Sequence, residues 1–135
     1  MTSRRRMSHA IVLARMTMRA WFALATFDIA SIAGFRAIHD RVRASRVHRR
    51  HRRSCSVEQI VWAVDEACVW YLKRAACLQR SVVATWLLRR NGIPAEMVIG
   101  CRPLPFESHA WVEVGGRVVN DRSQYQRAFT VLDRL

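Results

Sequence analysis

Residues Cys77 to Asp121 read CLQRSVVATWLLRRNGIPAEMVIGCRPLPFESHAWVEVGGRVVND. The opening part has helical spacing and closes on Arg89-Arg90-Asn91-Gly92, with cations in the last turn and a glycine for the C-cap, just before Pro94. The period then drops to two. Glu96 to Cys101 and His109 to Glu113 read as strands, and Val118-Val119 opens another after a Gly-Gly turn. A thiolate nucleophile needs a lowered pKa, which a helix N-terminus and a nearby imidazole provide. Cys77 heads the helix, His109 and Asp121 lie on the hairpin, and these three are the candidate catalytic residues.

Hairpin register decides how His109 meets Asp121. With Gly115-Gly116 alone as the loop, Val114 pairs with Arg117 and Asp121 falls opposite Ala110, on the wrong face for His109. With Val114-Gly115-Gly116 as a bulged loop, Glu113 faces Arg117, Val112 faces Val118 and His109 faces Asp121. The second register is expected, because its opposite-charge and β-branched pairs each contribute about 0.2–1 kcal/mol. Singly, each residue also has an ordinary reading. Cys77 is then a small buried hydrophobe, His109 a surface or satisfied core imidazole, and Asp121 a turn or cap residue.

Upstream, Ser56-Val57-Glu58-Gln59 is a capping box for a helix running to about Arg74, with Ile60, Val61, Val64, Ala67, Cys68 and Tyr71 on its apolar face. Cys68 reads as a core thiol. From Ser8 to Phe27, Leu13, Met16, Ala20, Leu24 and Phe27 keep helical spacing; Ile32, Phe35, Ile38 and Val42 continue it, with Gly34 as a break between two helices. The basic start mimics a signal peptide, but Arg15, Arg19 and Asp28 interrupt the apolar run, and no transmembrane segment is expected because the uncharged windows fall short of the roughly 20 residues a bilayer needs. Arg41 to Arg53 is a charge run with little to bury, expected as an exposed helix end or linker. His48, His51 and Cys55 have spacing that suggests a metal, yet the surrounding arginines repel a cation, so no metal and no cofactor are expected. Tyr125 to Leu135 is read as a last strand or a short helix.

The whole chain has 135 residues, 51% of them hydrophobic, which suits one globular domain burying roughly two-thirds of its unfolded surface. Its two parts differ in charge. Residues 1–54, a basic N-terminal helical region and arginine-rich linker, carry 13 Arg against Asp28 and Asp40, or +11; residues 55–135, the core, carry 10 basic against 8 acidic residues, or +2. Arginine suits bidentate pairing with carboxylates or phosphates. Four cysteines without a CxxC pair fit free thiols in a reducing, cytoplasmic compartment.

The chain resembles the stand-alone leader peptidases (B2-type proteins) of lasso-peptide biosynthesis, small relatives of the transglutaminase-like cysteine proteases. The resemblance runs from about Gly34 to Tyr125 and is strongest at Cys77-Leu78, at Leu87 through Ala95, at Val98-Ile99-Gly100, at Pro105-Phe106, and from Ser108-His109 to Asn120-Asp121. It implies an α+β fold with a transglutaminase-like or papain-like core, the nucleophile helix packed on a small antiparallel sheet and N-terminal helices preceding it. It also implies Cys77 as nucleophile, His109 as base and then acid, and Asp121 as orienting carboxylate. The implied activity cuts the leader from a ribosomally made precursor before macrolactam formation. The implied partners are the precursor's leader region, a separate B1-type leader-recognition protein and the ATP-dependent lasso cyclase. Rival readings are acyl transfer on the same fold, a basic nucleic-acid-binding module using Arg49, Arg50, Arg52 and Arg53, and a membrane-associated scaffold using residues 10–38. Nucleic acid is not expected, because no aromatic side chains are interleaved with those arginines.

Overall fold

A computed structural model describes residues 2–48 and 55–135. Its elements are α1 (Thr2–Ser31), α2 (Phe35–Ala44), α3 (Val57–Val69), α4 (Cys77–Arg90), β1 (Glu96–Pro103), β2 (Phe106–Val114), β3 (Arg117–Val118), α5 (Tyr125–Ala128) and β4 (Thr130–Arg134). Helices come first and then an antiparallel sheet in the order β3-β2-β1-β4, an α+β architecture. The C-terminal stretch supplies both a short helix and a strand, and that strand flanks β1.

Met16, Ala20 and Leu24, each four residues from the next, place one face of α1 in a core shared with Ile60 and Val64 of α3 and with Leu87 and Leu88 of α4. By length and composition alone, Arg6–Ser31 is apolar enough to cross a membrane, with mean hydropathy 1.3. In the fold its buried stripe lies against protein. Asp28, one turn beyond Leu24 at the end of that stripe, takes Lys73 at 2.7 Å, the Tyr71 hydroxyl at 2.5 Å and Gln79 Nε2 at 3.1 Å. Gly34, with φ 92°, separates α1 from α2 at the expected place. The basic run beyond His48, including His51 and Arg49, Arg50, Arg52 and Arg53, lies outside the described residues.

The capping box forms in full, Ser56 Oγ accepting from Gln59 N at 3.2 Å and Gln59 Oε1 accepting from Ser56 N at 2.8 Å. The α3 helix stops at Val69, short of the expected Arg74. Tyr71 leaves helical geometry to meet Asp28 and the edge of Trp21, so tertiary contacts end the helix before its pattern does. At the other end of α4 the chain closes a Schellman motif: Gly92 has φ 77°, and Ile93 N donates to Leu88 O at 3.0 Å.

Arg89 is not the solvated last-turn cation that its position suggests. It is 8% exposed and donates to Ala95 O at 2.9 Å, Val42 O at 2.7 Å, Ser45 Oγ at 2.7 Å and Leu135 O at 2.8 Å. One guanidinium therefore joins the end of α2, the approach to β1 and the chain's last residue. Its fork of fixed donors suits several carbonyls at once.

The β2–β3 hairpin takes the register that the pairing argument disfavoured. Glu113 pairs with Val118 and Val114 with Arg117, leaving a two-residue Gly115-Gly116 loop with φ 58° and 74°. Two glycines allow two consecutive positive φ values, and such a turn matches strand twist without a bulge. That local fit outweighs the modest cross-strand pairs that favoured the bulged loop.

The sheet's two faces have different neighbours. Met97 and Val112 face the helices, while Val98, Trp111 and Phe129 form a separate cluster on the far side. Gly100 is compelled there, since a Cβ would lie 2.8 Å from Trp111 Cη2 and 3.0 Å from Phe129 Cβ. Gly100→Ala should cost about 1–3 kcal/mol through overpacking, read as a lower denaturation midpoint; an unchanged midpoint would show that the cluster yields. On the same face, Glu113 Oε1 accepts from Trp111 Nε1 at 2.8 Å and from Gln126 at 2.9 Å, and Oε2 takes Arg134 at 2.9 Å. Burial alone would raise the Glu113 carboxyl, but these donors hold it below its usual range. A depressed folded pKa gives stability that is present above the unfolded value, about 4.3, and is lost as pH falls through the folded pKa. The melting-temperature gap between wild type and Glu113→Gln should therefore be widest near neutrality and shrink below about pH 4; a gap independent of pH would sink this account.

Candidate active site

Cys77 is the first residue of α4, half-buried, and follows Ala76 at the N-cap, a residue with no side-chain acceptor there. No capping side chain consumes the first-turn N–H groups at that end, where the helix dipole favours negative charge. A thiolate or an oxyanion suits that position.

His109 and Asp121 come together, with Nε2 2.8 Å from Asp121 Oδ2 and side chains 15% and 21% exposed. Asp121 Oδ1 accepts from Arg122 N at 2.8 Å, so both carboxylate oxygens are engaged and the group is oriented. An ionised Asp121 can only accept, which places the ring proton on Nε2 and makes Nδ1 the basic nitrogen. The ring is stacked near Trp111 at 6.2 Å and tilted against Phe129 at 5.7 Å. Arg102 lies over the opposite neighbour, its guanidinium carbon 5.6 Å from the Phe129 ring centre.

The pair meets in a different way from the expected bulged ladder. After Val119 N donates to Val112 O at 2.9 Å, the ladder ends and the Asn120 side chain replaces the next strand residue: its Oδ1 accepts from Val112 N at 2.7 Å. Freed from strand alternation, Asp121 turns toward His109. Asn120 is itself fixed from α4, its Nδ2 donating to Ser81 Oγ at 3.1 Å and its carbonyl accepting from Arg80 at 2.8 Å. Ser81 Oγ donates to Ala110 O at 3.0 Å. Arg80 also holds Asp65 of α3 at 2.8 Å. Burial raises the Asp65 carboxyl, Arg80 opposes the rise, and the charge of Asp121 adds to it.

Ser81, bonded to the residue after His109 and to the residue before Asp121, lies one helical turn beyond Cys77 on the same stripe. The Leu87-Leu88 end of α4 shares its core with Val112 of β2. Asn120 thus ties α4, β2 and the Asp121 turn together, and the His109 ring lies on the sheet face of Trp111 and Phe129.

Ser81, Asn120 and Arg80 escaped the functional reading of the sequence. A small polar residue one turn after Cys77, between apolar neighbours, is the signal for Ser81, and it is fully buried. Nothing in the local pattern announces that Asn120 would take a backbone's place. Of the other thiols, Cys68 is packed against the core and burial pushes its pKa up, as a core thiol requires. Among the described residues no group of three His, Cys, Asp or Glu is placed to hold a metal.

Comparison with known proteins agrees with this architecture. Over 59 residues the chain is 41% identical to the Microcin J25-processing protein McjB of Escherichia coli, a segment covering 44% of this chain and 28% of that protein. The shared part is thus under a third of the relative's length. No solved structure matches the chain. The model of the Transglutaminase-like superfamily matches residues 20–134, from within α1 to the end of β4, and the chain belongs to that superfamily.

Proposed function

We propose that this protein is a cysteine peptidase that removes the leader from a ribosomally synthesised lasso-peptide precursor before macrolactam formation. The reading is supported by the oriented His109–Asp121 pair and by a cysteine at the head of α4, in a transglutaminase-like chain similar to a microcin-processing protein. Cys77 acts as nucleophile, His109 as base and acid, and Asp121 as the orienting carboxylate. The Cys77 sulfur, its proton taken by His109, attacks the scissile carbonyl and forms a tetrahedral oxyanion. First-turn N–H groups of α4 stabilise that charge. The C–N bond breaks as His109 protonates the leaving amine. Water, deprotonated by His109, then attacks the thioester, freeing the leader carboxylate and regenerating the thiol. Asp121 keeps the imidazole oriented and stabilises its charged form throughout.

The freed α-amine is what an ATP-dependent cyclase joins to an acidic side chain, so cleavage precedes ring closure. A separate leader-recognition protein delivers the precursor, and the reaction runs in the cytoplasm, where the thiols stay reduced. The test mixes the protein with a candidate precursor, with and without a neighbouring leader-binding protein, and weighs the products. Two fragments whose masses sum to the precursor plus one water support hydrolysis. A leader joined to an added amine would identify an acyl transferase, and an intact precursor under both conditions would end the proposal.

A further inference from the structure

An apolar groove of about 450 Å³ lies between α1, α2 and α4, on a different stripe of α4 from the one carrying Cys77 and Ser81. Its walls include Phe22 and Phe27 of α1, Ile38 of α2, and Val82 and Trp86 of α4, with Arg19 and Arg41 among the lining residues. Phe22 is 61% exposed and Trp86 37%, so large apolar surface stands open to water. The wall positions follow helical stripes: 19, 22, 23, 26, 27 and 30 on α1, and 38, 41, 42 and 45 on α2. Eleven residues of rise along α1 make the groove about 16 Å long, roughly three turns of a docked helix. Two facing helices with such spacing form the kind of trough that accepts the apolar side of a third.

Charge selects among occupants. Arg19 and Arg41 are exposed, Arg15 lies one turn before Arg19, and the Arg90 guanidinium carbon sits 4.9 Å from the Trp86 ring centre. No carboxylate belongs to the groove's lining among the described residues. The chain as a whole carries +13.

We propose that this groove docks an acidic amphipathic helix from a protein or peptide partner, its apolar face against Phe22, Val82 and Trp86 and its carboxylates paired with Arg19 and Arg41. The inference does not depend on the peptidase chemistry, since it concerns other faces of these helices. Arginine forks pair bidentately with carboxylates, and the apolar floor provides the desolvated centre that a stable contact needs.

The full chain is titrated with a fluorescein-labelled helical peptide of about 18 residues, built with Leu at i, i+3, i+4 and i+7 spacing and Glu on the other face. Matched peptides carry Gln or Lys in place of Glu. Expected is binding of the Glu peptide at least tenfold tighter than the Gln peptide, weakening with salt. The Arg19→Glu/Arg41→Glu double variant should lose at least tenfold for the Glu peptide and regain affinity for the Lys peptide. Phe22→Ser, an exposed position, should weaken all peptides together, with circular dichroism melting checking that each variant is folded. Equal binding of the Glu and Gln peptides, or no effect of charge reversal in folded protein, overturns the proposal. So does failure to bind the peptides beside salt-sensitive binding of anionic lipid vesicles or of single-stranded RNA, either of which would assign the surface to that partner.

Discussion

Cys77→Ala is expected to reduce precursor cleavage by a factor on the order of 10⁴ or more, to the level of uncatalysed hydrolysis in practical assays. The sulfur is the atom that forms the acyl bond, and no neighbouring hydroxyl substitutes for it, since Ser81 is committed to Ala110 O and Asn120. Alanine at the first position of a helix is well tolerated, and a half-buried thiol gives up little packing, so the melting temperature should move by only a few degrees. Measuring product formation by mass spectrometry alongside circular dichroism separates loss of chemistry from loss of fold. Cleavage within tenfold of wild type by the alanine variant would remove Cys77 from the mechanism. The affinity of the groove for an acidic helix should be the same in this variant, which keeps the two proposals separable.

Arg89→Ala should be strongly destabilising, costing about 3–5 kcal/mol. The substitution removes the charge-assisted hydrogen bonds to Ala95 O, Val42 O, Ser45 Oγ and Leu135 O. Val42 O keeps Ser45 N and Oγ and Leu135 O keeps Met97 N, so the cost is that of the lost bonds, each about 1.5–3 kcal/mol before relaxation, rather than of carbonyls left bare. Burial pushes the guanidinium's pKa down, with nearby Glu96 opposing, but an arginine keeps its charge. Arg89→Met retains most of the side chain's apolar volume and none of its donors. It should recover less than half of the loss if hydrogen bonding dominates, whereas nearly full recovery would assign the effect to packing. Urea denaturation midpoints decide between these outcomes.

The fold was legible where one local signal sufficed. The Ser56 capping box, the Gly34 break, the Gly92 cap and the β1–β2 strands all follow from side-chain chemistry within a few residues. The positions of Cys77 at a helix start and His109 on a strand were legible for a different reason, since secondary structure alone defines them. What brings Asp121 to His109 was not. Cross-strand pairing energies of a few tenths of a kcal/mol pointed to a bulged loop, whereas the two positive φ values of Gly115-Gly116 set a tight turn and Asn120 ended the ladder. The residue pair was right and the route was wrong. Arg89 shows the same limit from another side. Its acceptors come from Val42, Ser45, Ala95 and Leu135, and no reading confined to the α4 sequence assembles acceptors so far apart in the chain.

The stub-like β3 has one more consequence. Strand edges with vacant amides and carbonyls invite other chains to extend the sheet. At the outer side of β2, Ala110 O is already taken by a serine hydroxyl and Val112 N by an asparagine amide oxygen. An extended polypeptide reaching this rim finds those two groups occupied and cannot zip onto them. A stray β-segment therefore gains no ladder bond at those two positions from which to begin a fibril.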